Sequence, residues 1–186
     1  MLEKTVPGSA EPDELTTISA GLLKIFGLGT LILGDSGIGK SESALELISR
    51  GHRFVADDIV QIRKTSDGDL VGSAPALSRN FMEIRGLGII NIRAIFGPRS
   101  IARESKVDLV VKLKKWRRGF EADRLGLKSG ADMTILDRKI PQLAIPVAPG
   151  RNIATLIEVA CKVHLLRKKG YSAPDEIIRR LDRVLT

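Results

Sequence analysis

Aromatic side chains are scarce in this chain. Five phenylalanines, one tyrosine and one tryptophan make up 4% of its 186 residues, so its core must be mostly aliphatic. There is one cysteine, Cys161, which excludes an internal disulfide and fits a reducing compartment, with the cytoplasm as the expected location. No apolar run approaches the roughly 20 residues that a membrane-spanning helix needs. The opening Met1-Leu2-Glu3-Lys4-Thr5-Val6 lacks the apolar core of a signal peptide. Internal repeats and low-complexity blocks are missing as well. These absences exclude a disulfide-stapled secreted module, a helical membrane protein and a solenoid.

What remains is 43% hydrophobic, enough for one domain with a proper core. One stretch organises it. Gly34-Asp35-Ser36-Gly37-Ile38-Gly39-Lys40-Ser41 fills every fixed position of the phosphate-loop pattern G-x-x-x-x-G-K-S/T. The apolar run Thr30–Leu33 before it reads as a buried strand. The stretch after it has helical apolar spacing and predicts a helix from Lys40 to Arg50, ending at Gly51. A strand turning through glycines into a helix start aims backbone N–H groups and the positive helix end at one spot, where phosphate oxygens fit. Lys40 then reaches the β- and γ-phosphates, and the Ser41 hydroxyl holds Mg²⁺. A glycine-rich turn matching by chance is the bland alternative. The complete match with strand and helix in place makes a nucleoside triphosphate site the better reading.

The rest of the chain is read around that loop. Residues 1–17 are polar and rich in proline and acid, and are expected to be a flexible leader or linker remnant before a domain spanning 18–186. Leu22–Phe26 and Thr30–Leu33 read as strands. Arg53-Phe54-Val55-Ala56 is a short apolar run ending in the carboxylate pair Asp57 and Asp58. On a strand such neighbours point to opposite faces, so one could serve a metal while the other sits nearer an acceptor; a turn or helix-capping pair is the structural alternative. Ser66-Asp67-Gly68-Asp69 between two apolar runs signals a hairpin. Met82–Ile90 is apolar and glycine-spaced but contains Glu83 and Arg85. A carboxylate there needs a partner, either Arg85 or a metal ion. Asn91–Phe96 reads as a short helix and Val107–Leu113 as a strand. Met133–Leu136 and Ile140–Val147 read as further strands, the latter broken by Pro141 and Pro146. Asn152 is a good N-cap for a long helix, Ile153–Lys169, and Ser172 opens a last helix, Pro174–Leu185. Cys161 and His164 on the long helix are read as packing residues. The formal charge of +8 is densest over Lys112–Arg118 and Arg167–Lys169. Such patches attract nucleic acid or an acidic protein, although for Arg167–Lys169 a solvated face with helix C-terminal dipole pairing is the better reading.

Several segments together resemble one family, the catalytic domain of bacterial HPr kinase/phosphorylase, which phosphorylates a serine of the phosphocarrier protein HPr. They are Phe26-Gly27-Leu28-Gly29 with Gly34–Ser41, Gly51–Asp58, Met82–Asn91, Asp123-Arg124-Leu125-Gly126, Ile140-Pro141 and Pro146–Asn152. The resemblance covers about residues 20–180. It implies an α/β fold, a P-loop kinase domain with a central mixed β-sheet flanked by helices, ATP and Mg²⁺ as cofactors, and HPr or an HPr-like protein as partner. By resemblance Asp58 accepts the serine proton, Asp57 assists the metal through water, and Ser41 and Glu83 are Mg²⁺ ligands. Arg124 stabilises charge on the transferring phosphoryl. Pro146, Val147, Ala148, Pro149, Gly150 and Arg151 form the segment the family needs chiefly for phosphoserine dephosphorylation. The family assembles as hexamers, so a homo-oligomer is expected. Its separate N-terminal domain has no counterpart in these 186 residues.

Three positions depart from the pattern. Ser19-Ala20-Gly21 stands near the family's catalytic histidine, Ala148 where an arginine is usual, and Lys114 where a glutamate is usual. Losing that histidine and arginine predicts a weakened or lost phosphorylase direction. The competing readings are a kinase for another protein or small molecule, and a nucleotide-responsive binding module. Nucleic-acid binding motifs are lacking, which disfavours nucleic acid as a partner.

Overall fold

The structure, a computed structural model, describes residues 14–116 and 132–185. Strands β1 (Leu15–Ser19), β2 (Gly21–Ile25) and β3 (Leu28–Leu33) precede helix α1 (Lys40–Ser49). Next come β4 (Arg53–Ala56), β5 (Ile59–Lys64), β6 (Leu70–Ser73), β7 (Phe81–Ile84), β8 (Gly88–Asn91) and the short helix α2 (Ile92–Phe96). Strands β9 (Glu104–Lys106), β10 (Leu109–Lys115), β11 (Met133–Ile135), β12 (Arg138–Ile140) and β13 (Gln142–Val147) lead to helices α3 (Ile153–Lys168) and α4 (Ala173–Leu185).

The central sheet runs β13-β10-β3-β2-β4. Strands β13, β10 and β3 are parallel, while β2 lies antiparallel to both β3 and β4. The sheet is therefore mixed, as expected. An antiparallel sheet, β1-β5-β6-β9, covers one face. The period-2 alternation of the central strands divides the core. Leu22, Leu31, Val55 and Val110 join Val60, Ile62 and Leu70 of the antiparallel sheet. Leu23, Ile32, Phe54 and Val111 join Leu47 and Ile48 of α1 and Ile157 and Cys161 of α3. Helices, mixed sheet and antiparallel sheet form three layers.

Most expected elements occur, with shifted ends. Residues 15–17, expected in the flexible leader, belong to β1, which pairs antiparallel with β5. Residues 1–13 of that leader lie outside the described residues. The Ser66–Asp69 hairpin joins β5 to β6. Met82–Ile90 lies within the hairpin β7–β8, which buries Met82 and Ile84 in the core. Ile140–Val147 is divided at Pro141, and its first residue ends β12, which returns on β11 through the left-handed pair Leu136 and Asp137. Asn91 and Asn152 cap α2 and α3, their side-chain oxygens accepting from Ala94 N–H and Thr155 N–H. Cys161 and His164 are buried, as their packing role requires. Lys112 and Lys114 alternate with buried Val111 and Leu113, so those basic residues are the solvent face of β10.

One close approach fixes β3 against the β9–β10 connection. Gly29 N–H donates to Asp108 Oδ2 at 2.9 Å, and Asp108 N–H returns a bond to Gly29 O at 2.8 Å. A Cβ on Gly29 would stand 1.7 Å from Lys106 O, so no side chain fits. Gly29→Ala is expected to destabilise the fold by about 3 kcal/mol, the upper end for forced overpacking. A urea titration measures it; an unchanged midpoint would mean that the connection yields without strain.

Candidate functional site

The phosphate-loop pattern occupies the turn between β3 and α1. Gly37 and Gly39 have φ of 73° and 101°, conformations that turn successive N–H groups inward. Gly39 is the N-cap of α1 and, as a glycine, makes no side-chain cap bond. The first-turn N–H groups of α1 therefore point into the loop free of a capping side chain, as an anion site requires. Lys40 Nζ donates to Gly34 O at 2.8 Å and to Asp35 O at 3.1 Å, which holds the ammonium inside the loop.

The carboxylate pair arrives from β4, on the same edge of the sheet. The strand ends at Ala56, so the pair sits on a turn rather than on opposite faces of a strand. Asp58 has a left-handed φ of 62°. Ile59 N–H donates to Asp57 O at 2.7 Å and Ala20 N–H donates to Asp58 O at 3.1 Å, pinning the backbone on both sides of the strained residue. The two carboxylates part in environment. Asp58 is exposed, whereas Asp57 is only 7% exposed and accepts from Ser41 Oγ at 3.0 Å through Oδ2. Burial, then the neighbouring Asp58 charge, pushes the Asp57 pKa up to about 6; the Ser41 bond opposes the shift.

A cavity of about 290 Å³ joins these parts. Lys40, Ser41, Asp58, Glu83, Arg85 and Ser19 line it with the loop glycines. Beside it lies a larger cavity of about 500 Å³, walled by Leu77, Phe81, Met82 and Ile89 and sharing Asp58 and Glu83. Leu77 is 94% exposed and Ile89 75%, so this wall is open to an incoming molecule.

The donor set fits a small divalent cation. Ser41 Oγ, the Asp57 carboxylate and Glu83 are hard oxygen donors, and Asp57 Oδ1 is buried with no hydrogen-bond partner. Among the described residues no three His, Cys, Asp or Glu side chains converge on one point. A phosphate-bound cation needs no such cage, since substrate oxygens and water complete its shell.

The structure thus brings together Gly34–Ser41, Asp57, Asp58 and Glu83. The desolvation rationale for Glu83 is corrected: the residue is exposed on the hairpin and needs no ion pair to be tolerated there. Arg124 lies outside the described residues. Pro146–Arg151 begins at the end of β13 and is tied by Arg151 Nη1 donating to Pro146 O at 2.8 Å. Its Val147, Ala148 and Pro149 flank Asp35–Ile38 on the β10–β13 side of the loop, across β3 from Asp58. Sequence reading missed two residues of the cavity. Arg85 was seen only as a partner for Glu83, yet its guanidinium lies 3.6 Å from where a Gly37 Cβ would stand. Ser19 was noted only as a departure. Neither carries a local signal, because pairing of β1 with β5 places Ser19 and the packing of the β7–β8 hairpin places Arg85.

Comparison with known proteins follows from this geometry. A family model described as the HPr serine kinase C-terminal domain matches residues 13–181. An HPr kinase/phosphorylase from a Thermoanaerobacter species is 48% identical over 165 residues, covering 89% of this chain and 54% of that protein. One from an Exiguobacterium species is 48% identical over 167 residues, 90% of this chain and 53% of the relative. The chain thus spans about half the length of these curated relatives. The solved HPr(Ser) kinase/phosphatase from Coxiella burnetii superposes with a TM-score of 0.77 at 34% identity, covering 87% of this chain and 98% of that one.

The Asp57 environment has a pH signature. Its folded pKa lies above the ordinary 3.8, so folding takes up a proton between 3.8 and about 6. Its contribution is fully present below 3.8, falls as pH rises toward about 6, and is level above that. In EDTA, Asp57→Asn should gain stability over the parent protein across this window, by at most about 3 kcal/mol. Urea titrations at several pH values read it; a constant difference would show that Asp57 is not desolvated.

Proposed function

The chain belongs to the family of the HPr serine kinase C-terminal domain, and from that premise we propose that it is a Mg²⁺- and ATP-dependent kinase for a serine of HPr or an HPr-like protein. The observation that carries the proposal is one cavity bounded by a phosphate loop on one side and an exposed, backbone-pinned carboxylate, Asp58, on the other.

The residues divide the work of an in-line transfer. Loop N–H groups and Lys40 hold the phosphates of ATP, with Asp35, Ser36 and Ile38 supplying loop backbone between the glycines. The acceptor serine enters along the apolar wall of Leu77, Phe81 and Ile89. Asp58 accepts its hydroxyl proton as the oxygen attacks the γ-phosphorus and the bond to the β–γ bridging oxygen breaks, releasing ADP. Arg85, against the loop, offers a planar pair of donors to phosphoryl oxygens. Arg124 is assigned by resemblance to the same charge. Ser41 and Glu83 would hold Mg²⁺, with Asp57 as their supporting carboxylate, and the ion would supply positive charge against that of the phosphates.

Assembly into a homo-oligomer, a hexamer by resemblance, is supported by α4, which buries none of its residues and exposes Ile177, Ile178, Leu181 and Leu185. A cytoplasmic location is part of the same reading; among the described residues no helix is long and apolar enough to cross a membrane.

Asp58→Asn is expected to lower phosphoryl transfer from labelled ATP to HPr by about 10²–10⁴-fold, the usual span for a general base. ATP binding should persist, and undiminished transfer would remove Asp58 from this role. The reverse reaction, attack of inorganic phosphate on phosphoserine, is expected to be feeble, because Ser19-Ala20-Gly21 and Ala148 stand where the family usually carries a histidine and an arginine. Pyrophosphate release from phosphoserine-HPr measures it, and release as fast as the forward reaction would show that other residues compensate.

A further inference from the structure

A third cavity, of about 370 Å³, lies against the outer flank of the phosphate loop. Asp35, Ser36, Gly37 and Ile38 form one wall; Lys115, Val147, Ala148 and Pro149 form the other. Its size falls within the roughly 300–1,000 Å³ of small-ligand sites. We propose that this cavity holds the base and ribose of the nucleotide whose phosphates the loop binds. The inference rests on the phosphate-loop reading and adds where the rest of the nucleotide goes.

Three observations lead there. First, attacking and leaving oxygens lie in line across the transferred phosphorus. With Asp58 and the open apolar wall on the β2–β4 side of β3, the leaving phosphate and its nucleoside depart toward the β10–β13 side. Second, β3, β10 and β13 are mutually parallel, and their carboxyl ends, at Leu33, Lys115 and Val147, meet at one edge. The crevice outside such ends is where open α/β sheets bind ligands. Third, the wall suits a flat, half-polar ligand. Ile38, Val147 and Pro149 offer apolar contact, and Lys115 is a cation beside the path from the phosphates. The far wall is also held in place, since Trp116 N–H donates to Val147 O at 2.9 Å and Arg151 N–H to Ala148 O at 3.2 Å.

The rival seat for the base is the 500 Å³ cavity beside Asp58. A base there would occupy the approach that the acceptor hydroxyl needs. On this assignment Val147–Pro149, expected to serve chiefly dephosphorylation, also form part of the donor nucleotide's site.

Calorimetric titration with ATP and with inorganic tripolyphosphate separates the base from the phosphates. Ala148→Trp, which fills the cavity, should weaken ATP by about tenfold or more, roughly 1.4 kcal/mol, and leave tripolyphosphate unchanged. Unaltered ATP affinity in that variant would overturn the assignment. Photolabelling of the unmodified protein with 8-azido-ATP decides independently of the variant's folding: label on peptides containing Lys115 or Val147–Pro149 supports the site, and label confined to Leu77–Ile89 refutes it. Lys40→Ala tests the premise separately. If it binds both ligands as the parent does, the phosphate-loop reading fails, a result distinct from either outcome above.

Discussion

The hydrogen bond from Ser41 to Asp57 is the contact on which the site depends. Ser41 stands in the first turn of α1 and Asp57 just past the end of β4, with the antiparallel strand β2 between their two strands. Two strand spacings, roughly 10 Å, separate β3 from β4. Only a side chain leaning sideways from the helix start can close that gap, and the 3.0 Å contact does so. The same bond aligns the phosphate loop with the turn that carries Asp58. The loop and Asp58 are thus parts of one sheet edge rather than of two mobile pieces.

That arrangement carries a cost the fold must absorb. Asp57 is buried beside a second carboxylate, and one of its oxygens has no hydrogen-bond partner. Asp58 is held in a left-handed conformation that non-glycine residues adopt at a penalty. Neither feature improves the core, which is complete without them in two aliphatic clusters on the two faces of the mixed sheet. Strain and unpaired charge gathered at one end of an otherwise consistent sheet mark a site selected for chemistry, which the proposed function assigns to cation binding and proton removal.

How much of this was legible depends on whether the signal was local. The phosphate loop, its strand and its helix were readable because spacing, glycines and apolar period all occur within some twenty consecutive positions. The Ser66–Asp69 hairpin and the Asn152 cap were readable for the same reason. Strand β1 was not, because Leu15-Thr16-Thr17-Ile18-Ser19 is half polar and follows a stretch rich in proline and acid; it becomes a strand only by pairing with β5, more than forty positions on. Glu83 was chosen for the right cavity by a wrong argument, since on β7 it alternates with the buried Met82 and Ile84 and faces outward. Arg85 and Ser19 had no signature of their own. They reach the site through register and hairpin placement, quantities that one sequence does not state.

The two ends of α1 complete the picture. At its start, Ser41 is tied to Asp57. At its far end, Glu46 accepts from Asn152 Nδ2 at 2.8 Å, and Arg50 bridges Glu46 to Glu158 on α3, which also pairs with His52 at 2.7 Å. Asn152 is already occupied, its oxygen capping α3, so a single amide joins the helix of the phosphate loop to the chain leaving Pro146–Arg151. A partly exposed ion pair such as Arg50–Glu46 contributes little to stability, commonly under about 1 kcal/mol. The effect of these contacts is geometric. They fix α1 against the β13–α3 connection on one side while Ser41 fixes it against the β4 turn on the other. The loop between is clamped from both flanks, and donors held in place before the reaction need not reorganise when charge develops. A helix restrained at one end only would leave the cradle free to pivot, and in-line transfer tolerates little of that.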